Sequence, residues 1–387
     1  MQKTHEKFIK RALQIAKNGL GTARPNPSVG AVIVFDHKII GEGFTSPYGE
    51  NHAEVNAINA VEDKTLLKQA TIYVTLEPCS HFGKTPPCAD LIVKYQLNTV
   101  VIGCVDSNSL VAGKGIERIK KAGINVKVGV LEKECLAHHK RFFTNQHKKR
   151  PYVILKWAET KDGFIAPIKD FKNTYLAESK SEEKVNKFTN ELPNKAEKSI
   201  IRNDAKPVWI SNAYSQQVVH KLRAKEHAIL VGTNTVLADN SKLNVRSWSG
   251  QNPIRIVLDR TLRIPKNGNI LDGSVKTIVI YDENIKRNNK EFQPLENTIF
   301  EQADFSPLGK LKAATVCNIL HKHNIMSVII EGGTQTLQTF IDENLWDEAF
   351  VFIGDNSFKR GIKAPVLQGD FTQKNIKNDI LKKYTND

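Results

Sequence analysis

The stretch from His52 to Cys88 restricts the possible folds more than any other part of the chain. His52-Ala53-Glu54 opens an apolar-periodic segment (Val55, Ala57, Ile58, Val61), and Ala70 to Leu76 alternates as a strand does. After the loop Glu77-Pro78-Cys79-Ser80-His81-Phe82-Gly83-Lys84-Thr85-Pro86-Pro87, a second helix begins at Cys88 and runs through Leu91, Ile92 and Tyr95. The reading is helix, strand, loop, helix. It places one imidazole and two thiols at the beginnings of two helices flanking a single strand. These are zinc ligands, and a catalytic zinc takes only three from the protein so that water fills the fourth position. Two thiolates cancel the charge of the dication, so such a metal acidifies its water less than one held by three imidazoles. A carboxylate that takes a proton from the water and passes it to a leaving group repairs the deficit, and Glu54 is the candidate.

Other readings of the same residues stay open at this level. A structural zinc needs a fourth ligand, for which His81 is the nearby candidate. Thiols without metal would leave His52 an ordinary histidine. A Cys79–Cys88 disulfide fits poorly, since Cys104, Cys135 and Cys317 are isolated and the five cysteines make no framework.

Zinc nucleobase deaminases carry His-x-Glu followed by Pro-Cys-x-x-Cys, the Glu moving protons without ligating. Pro78-Cys79 fits, but eight residues separate the two cysteines instead of two. The longer spacing is itself informative. Pro-Cys-Ser-His-x-Gly-x-Thr-Pro-Pro-Cys, ungapped from Pro78 to Cys88, resembles the deaminase half of the bifunctional deaminase/reductases of riboflavin biosynthesis. Arg24-Pro25-Asn26-Pro27-Ser28-Val29-Gly30 and Val111-Ala112-Gly113-Lys114-Gly115 extend the likeness. It implies a cytidine-deaminase-like domain in which His52, Cys79 and Cys88 hold Zn2+ and Glu54 is catalytic.

The chain has 387 residues, of which 40% are hydrophobic, enough for two cored domains. Its N-terminus has no signal-peptide core, and no run of eighteen apolar residues occurs, so a cytoplasmic protein without a membrane partner is expected. The net charge of +15 suggests an anionic partner, nucleic acid first. The basic residues are scattered, however, apart from clusters such as Lys148-Lys149-Arg150. A phosphorylated small substrate and a dinucleotide need only a few of them.

Helices are predicted at Glu6 to Lys17, Ile116 to Ala122 and Lys133 to about Lys148. Strands are predicted at Val29 to Phe35, Lys38 to Gly43, Thr99 to Cys104 and Val126 to Val130. The order argues for a three-layer α/β domain over residues 1–150. Pro151 opens a second α/β domain over 151–387, beginning with strand Tyr152 to Lys156 and the turn Asp162-Gly163. A polar insertion of about 168–206 interrupts it. Structure is predicted to resume at Val208 to Asn212, with a helix following to Lys225. Strands follow at Ala228 to Gly232, Ile254 to Leu258, Thr277 to Tyr281 and Ser327 to Ile330, with helices at Lys310 to His323 and Thr334 to Asn344.

No Gly-x-Gly-x-x-Gly follows a strand in this half, but Ile329-Ile330-Glu331-Gly332-Gly333-Thr334 ends a buried strand in two glycines before a helix. Glycines there admit a ligand to the backbone, and the helix N–H groups favour phosphate. Together with Lys156, Asp162-Gly163, Trp209-Ile210-Ser211, Arg223, the run Gly232 to Asp239, Leu243 and Arg246, these residues resemble the reductase half of the same family. That half is similar in fold to dihydrofolate reductase and uses NADPH. The resemblance implies that Arg223, Leu243, Arg246 and Glu331 face a phosphoribosyl substrate. It implies that Trp209, Thr235, Asp239 and the turn Gly333, Thr334, Gln335, Thr336, Leu337, Gln338, Thr339 face NADPH, with Lys156 nearby. Guanidinium groups suit phosphate because they grip it in two places. Three departures stand out: Pro207 replaces a usual serine, the insertion is longer than is usual, and Ser107 and Ser109 replace prolines.

The implied activity is deamination of 2,5-diamino-6-(5-phosphoribosylamino)pyrimidin-4-one, then NADPH-dependent reduction of its ribosyl group. Two other functions are weighed against it. A nucleic-acid deaminase with a basic accessory domain suits the charge, but not the 7% aromatic content or the cysteine spacing. A deaminase with a non-catalytic second domain is the other. The sequence leaves a homo-oligomer open.

Overall fold

The computed structural model describes residues 2–83, 86–106, 113–167, 209–286, 296–306 and 311–386. The insertion 168–206, Pro207, Val208, Ser107, Ser109, Val111, Ala112, Lys84, Thr85 and Lys310 lie outside the described residues. Among the described residues, no helix is long and apolar enough to cross a membrane.

The chain opens with helix α1 (Gln2–Ala16), which buries Phe8, Ile9, Ala12, Ile15 and Ala16. Strands β1 (Gly30–Phe35) and β2 (Lys38–Phe44) form a hairpin. Its turn residues Asp36 and His37 both have positive φ, as a tight two-residue hairpin requires. Then come α2 (Ala53–Asn59), β3 (Thr71–Leu76), α3 (Cys88–Lys94), β4 (Thr99–Cys104), α4 (Lys114–Lys121) and β5 (Asn125–Val128). The sheet order is β2-β1-β3-β4-β5. β1 runs antiparallel to its neighbours, and β3, β4 and β5 run parallel. Parallel strands need crossovers, which α3 and α4 supply, so both helices start beyond the carboxyl ends of β3 and β4. The single helix expected from Lys133 to Lys148 is instead two, α5 (Glu132–His138) and α6 (Lys140–Lys148). The break falls at His139, whose buried ring reaches Thr75 Oγ1 of β3 at 3.1 Å.

The second sheet begins at β6 (Tyr152–Glu159), directly after Pro151. β7 (Phe164–Pro167), α7 (Ala213–Lys225), β8 (Ala228–Gly232), α8 (Thr233–Asp239), β9 (Ile254–Leu258), β10 (Thr277–Asp282) and β11 (Thr298–Ala303) follow. The chain continues through α9 (Ala313–Lys322), β12 (Ser327–Glu331), α10 (Thr334–Asp342), β13 (Glu348–Ile353), β14 (Gly361–Lys363), β15 (Phe371–Ile376) and β16 (Asp379–Thr385). The nine-stranded order is β11-β10-β9-β8-β12-β6-β13-β16-β15. It is parallel from β11 to β13 and closes with an antiparallel hairpin. Where structure resumes, residues 209–212 carry no strand. Asn212 is there the N-cap of α7, its side chain accepting from the N–H groups of Tyr214 and Ser215.

The two halves are joined by buried polar contacts. Glu226, fully buried, accepts from both Nε (2.7 Å) and Nη2 of Arg141, and Lys140 pairs with Glu348 at 2.9 Å. At the crossover itself, Asp347 accepts two bonds from Arg150 (2.6 and 2.9 Å) and one from Val153 N (2.7 Å). Removing one partner of a buried pair strands the other charge. Asp347→Ala is therefore expected to destabilise the second half by about 3–5 kcal/mol. All four tryptophans (Trp157, Trp209, Trp248, Trp346) lie in that half, so urea unfolding followed by tryptophan fluorescence reads it directly.

Candidate metal centre and reductase site

β3 delivers Cys79 three residues past its end, and two short helices bring the other donors. His52 is the N-cap of α2, and Cys88 is the first residue of α3. The His52 Nδ1 atom lies 3.5 Å from Cys79 Sγ and 3.3 Å from Cys88 Sγ. Donors at zinc–nitrogen and zinc–sulfur bond lengths around a tetrahedral ion stand roughly 3.5 Å apart, so the triangle fits that metal. These are also the three residues among those described whose ligand atoms cluster as a metal site would, within 4.8 Å of one another. His81, the candidate fourth ligand, is exposed and outside the cluster. Among the described residues the donor set numbers three.

Cys79 also accepts the backbone N–H of Cys88 at 3.3 Å, so the start of α3 stabilises sulfur charge. A hydrogen bond from the Cys88 thiol, with His52 adding to it, holds the Cys79 thiol far below the ordinary thiol range. The bond to Cys79 raises His52. Glu54, in the first turn of α2, is 3% exposed. Burial, with the Cys79 charge beside it, pushes its carboxyl up to about 7, a value poised for proton transfer near neutrality. Glu77, which the sequence reading passed over, ties the loop to its surroundings. Its carboxylate accepts from the backbone N–H groups of Asp106 (3.2 Å), Gly113 (3.0 Å), Gly115 (3.0 Å) and Ile116 (3.2 Å). The signal that could have found it is an acid at a strand's carboxyl end, one residue before the Pro-Cys pair and facing the glycine-rich start of α4.

In the second half, Glu331 at the end of β12 gathers the expected substrate residues. Arg223 of α7 grips it through Nε (3.3 Å) and Nη2 (2.7 Å), and Lys156 Nζ of β6 lies 3.8 Å away. The Arg223 fork is thus closed on a carboxylate and not left open to phosphate. Burial alone would raise Glu331, but Arg223 and Lys156 reverse this and bring it to about 2. Burial lowers Lys156. Arg246 is exposed, and its backbone N–H donates to His220 Nδ1 at 3.3 Å. His220 was also missed, although it stands one helical turn before Arg223. Burial, then Arg223 and Arg246, push it down to about 4. Lys156, Arg223 and Arg246 against Glu331 leave a surplus of positive charge for an anionic substrate. The Leu243 side chain belongs to the core, and its backbone has a positive φ of +52.

Two strand ends form the expected cofactor cradle. At Gly332 (φ +153) a Cβ would stand 3.2 Å from Thr235 Oγ1, and at Gly232 one would stand 3.2 Å from Thr336 Oγ1; Gly333 faces open space. The clearance and the N-terminus of α10 suit a phosphate-bearing ligand. The run Gly333 to Thr339 is not a turn, however, but the N-cap and first residues of α10. Leu337 is fully buried in the core, so its side chain is removed from the cofactor set. Thr334 donates to Lys363 O and Gln338 accepts from Val366 N at 2.8 Å, which occupies both with the 361–366 segment. Gln335 and Thr339 bond along the helix, Asp239 is exposed at the end of α8, and Trp209 is 53% exposed.

The deaminase description "Cytidine and deoxycytidylate deaminase zinc-binding region" matches residues 2–104, and "RibD C-terminal domain" matches residues 151–356. A riboflavin biosynthesis protein RibD from Aquifex aeolicus is 36% identical over 378 residues, covering 96% of this chain and 92% of that protein. The chain belongs to the RibD family. A RibD from Escherichia coli is 32% identical over 90% of this chain and 87% of its own length. The crystal structure of a diaminohydroxyphosphoribosylaminopyrimidine deaminase/5-amino-6-(5-phosphoribosylamino)uracil reductase from Thermotoga maritima superposes with TM-score 0.79 at 32% identity. It covers 100% of this chain and 99% of that one. As a member of this family the chain joins a zinc-dependent deaminase to an NADPH-dependent reductase of riboflavin biosynthesis, on a cytidine-deaminase-like and a dihydrofolate-reductase-like half. The two rival functions are thereby set aside.

Cys79→Ser and Cys88→Ser each replace a thiolate by a hydroxyl that stays protonated at neutral pH. Both variants are expected to purify without stoichiometric zinc, whereas His81→Ala keeps it. Elemental analysis of the purified proteins decides.

Proposed function

We propose that residues 1–150 hydrolytically deaminate 2,5-diamino-6-(5-phosphoribosylamino)pyrimidin-4-one and that residues 151–387 reduce the ribosyl group of the product to a ribityl chain. The observation that carries the first step is the triangle of His52, Cys79 and Cys88 with buried Glu54 beside it. When bound there, zinc supplies Lewis-acid activation of water. Glu54 accepts a proton from that water and gives it to the departing amine, so that ammonia leaves and a carbonyl replaces the C–NH2 group. Its raised affinity for protons lets one group do both near pH 7.

NADPH supplies a hydride in the second step. Lys156, half-buried and 3.8 Å from Glu331, is the group suited to give the ribosyl oxygen its proton as the ring opens. Glu331, itself fixed by Arg223, holds the ammonium in place, and Arg246 meets the phosphate. Trp209, Thr235, Asp239, Gly333, Thr336 and the exposed face of α10 line the path of the cofactor.

Glu54→Gln is expected to keep its zinc and lose about 10²–10⁴-fold in ammonia release. Its NADPH oxidation with the already deaminated compound should be unchanged. Full ammonia release by this variant would refute the assignment. Conversely, Lys156→Gln should lower NADPH turnover by about 10²–10⁴-fold while ammonia release persists. A stopped-flow trace at 340 nm beside an ammonia assay reads both.

A further inference from the structure

One side chain of the first half ends inside the second. Arg24, half-buried in the segment that leads into β1, sends Nη1 to the backbone carbonyl of Glu226 and Nη2 to that of Asn252 at 3.2 Å. Both carbonyls belong to pieces of the proposed substrate face of the reductase. Glu226 is the C-cap of α7, three residues past Arg223. Asn252 closes the loop that starts at Leu243, and its Oδ1 accepts Val245 N at 2.8 Å, immediately before Arg246. The same loop is held to α7 by Arg223 Nη1 on Asn244 O (3.3 Å) and by Arg246 N on His220 Nδ1 (3.3 Å). Gly250 packs against Ala224. The loop has no regular secondary structure, so its shape depends on such ties. Arg24 clips its far end to the last turn of α7, where carbonyls lack helical partners. The carboxylate of Glu226 is anchored from the same side by Arg141.

We propose that Arg24, contributed by the deaminase half, is a positioning residue of the reductase: it fixes the 243–252 loop so that Arg246 meets the phosphorylated end of the substrate. The proposal rests on the assignment of Leu243 and Arg246 to that substrate. Arg24 touches neither substrate nor cofactor. Its effect is on the fraction of loop conformations that bind, which enters KM and not the chemical step.

The test supplies the deaminated phosphoribosyl compound and NADPH to the full-length protein. Arg24→Ala should raise KM for that compound about tenfold, the worth of a lost charge-assisted hydrogen bond. Its kcat and its KM for NADPH should stay within about twofold. Arg24→Lys, which keeps the charge but spans only one carbonyl, should fall between. Asn252→Ala should raise the same KM, and the double variant should cost no more than the larger single, since both loosen one loop. An unchanged KM in Arg24→Ala, a parallel rise in KM for NADPH, or a double effect equal to the product of the singles would overturn the proposal. Arg246→Ala separates the two layers. If it leaves KM unchanged, the substrate assignment itself fails; if it raises KM while Arg24→Ala does not, only the clip fails.

Discussion

Two sulfurs and an imidazole nitrogen that all lie within 4.8 Å of one another make a donor set whose thiolate form is stabilised by a cation held among them. The first half of the chain is arranged around that set. The α2 and α3 helices both begin at a ligand, so unpaired N–H groups of α3 point at Cys79, and the crossover between β3 and β4 places the starts where strand ends already meet. Burial of Glu54 then follows from packing α2 on the sheet, and the same burial raises its proton affinity into the working range. Fold and acid–base chemistry are here one arrangement. The four backbone bonds to Glu77 extend it by holding the start of α4 against the metal loop.

The second half uses a different device. A carboxylate, Glu331, is kept ionised inside the protein by Arg223 and Lys156, and the three together form a polar floor under the proposed substrate position. What lies above the floor is a loop without regular structure, which a buried ionic joint and Arg24 secure from the neighbouring half. The halves are thus more than tethered: Arg141, Lys140 and Arg24 all reach into the second sheet's surroundings.

Much of this was legible in the residues. The metal donors and Glu54 were readable because their chemistry is rare and their spacing is tied to helix starts. The strands 99–104, 228–232 and 254–258 were readable because they are short apolar runs between turn signals. Where the reading failed, long-range contacts decided. His139 interrupts a continuous helical pattern because its ring is drawn to Thr75, sixty-four residues earlier. Leu337 looked like part of a ligand-facing turn, yet the face of α10 it occupies is set by the core beneath. The exposed strand β15 and its partner β16, which pair through backbone, carry little periodic signal. The roles of Glu77, His220 and Arg24 are not legible in the sequence for one reason: their partners are backbone groups or residues distant in sequence.

The account stands or falls on an open three-ligand metal centre. Zinc K-edge absorption on the purified, substrate-free protein tests this most directly. Two sulfurs near ~2.3 Å, one imidazole and one further light atom near ~2.0 Å, with the scattering of a single histidine ring, is the predicted shell. A second imidazole, a third sulfur, or no bound zinc would contradict it.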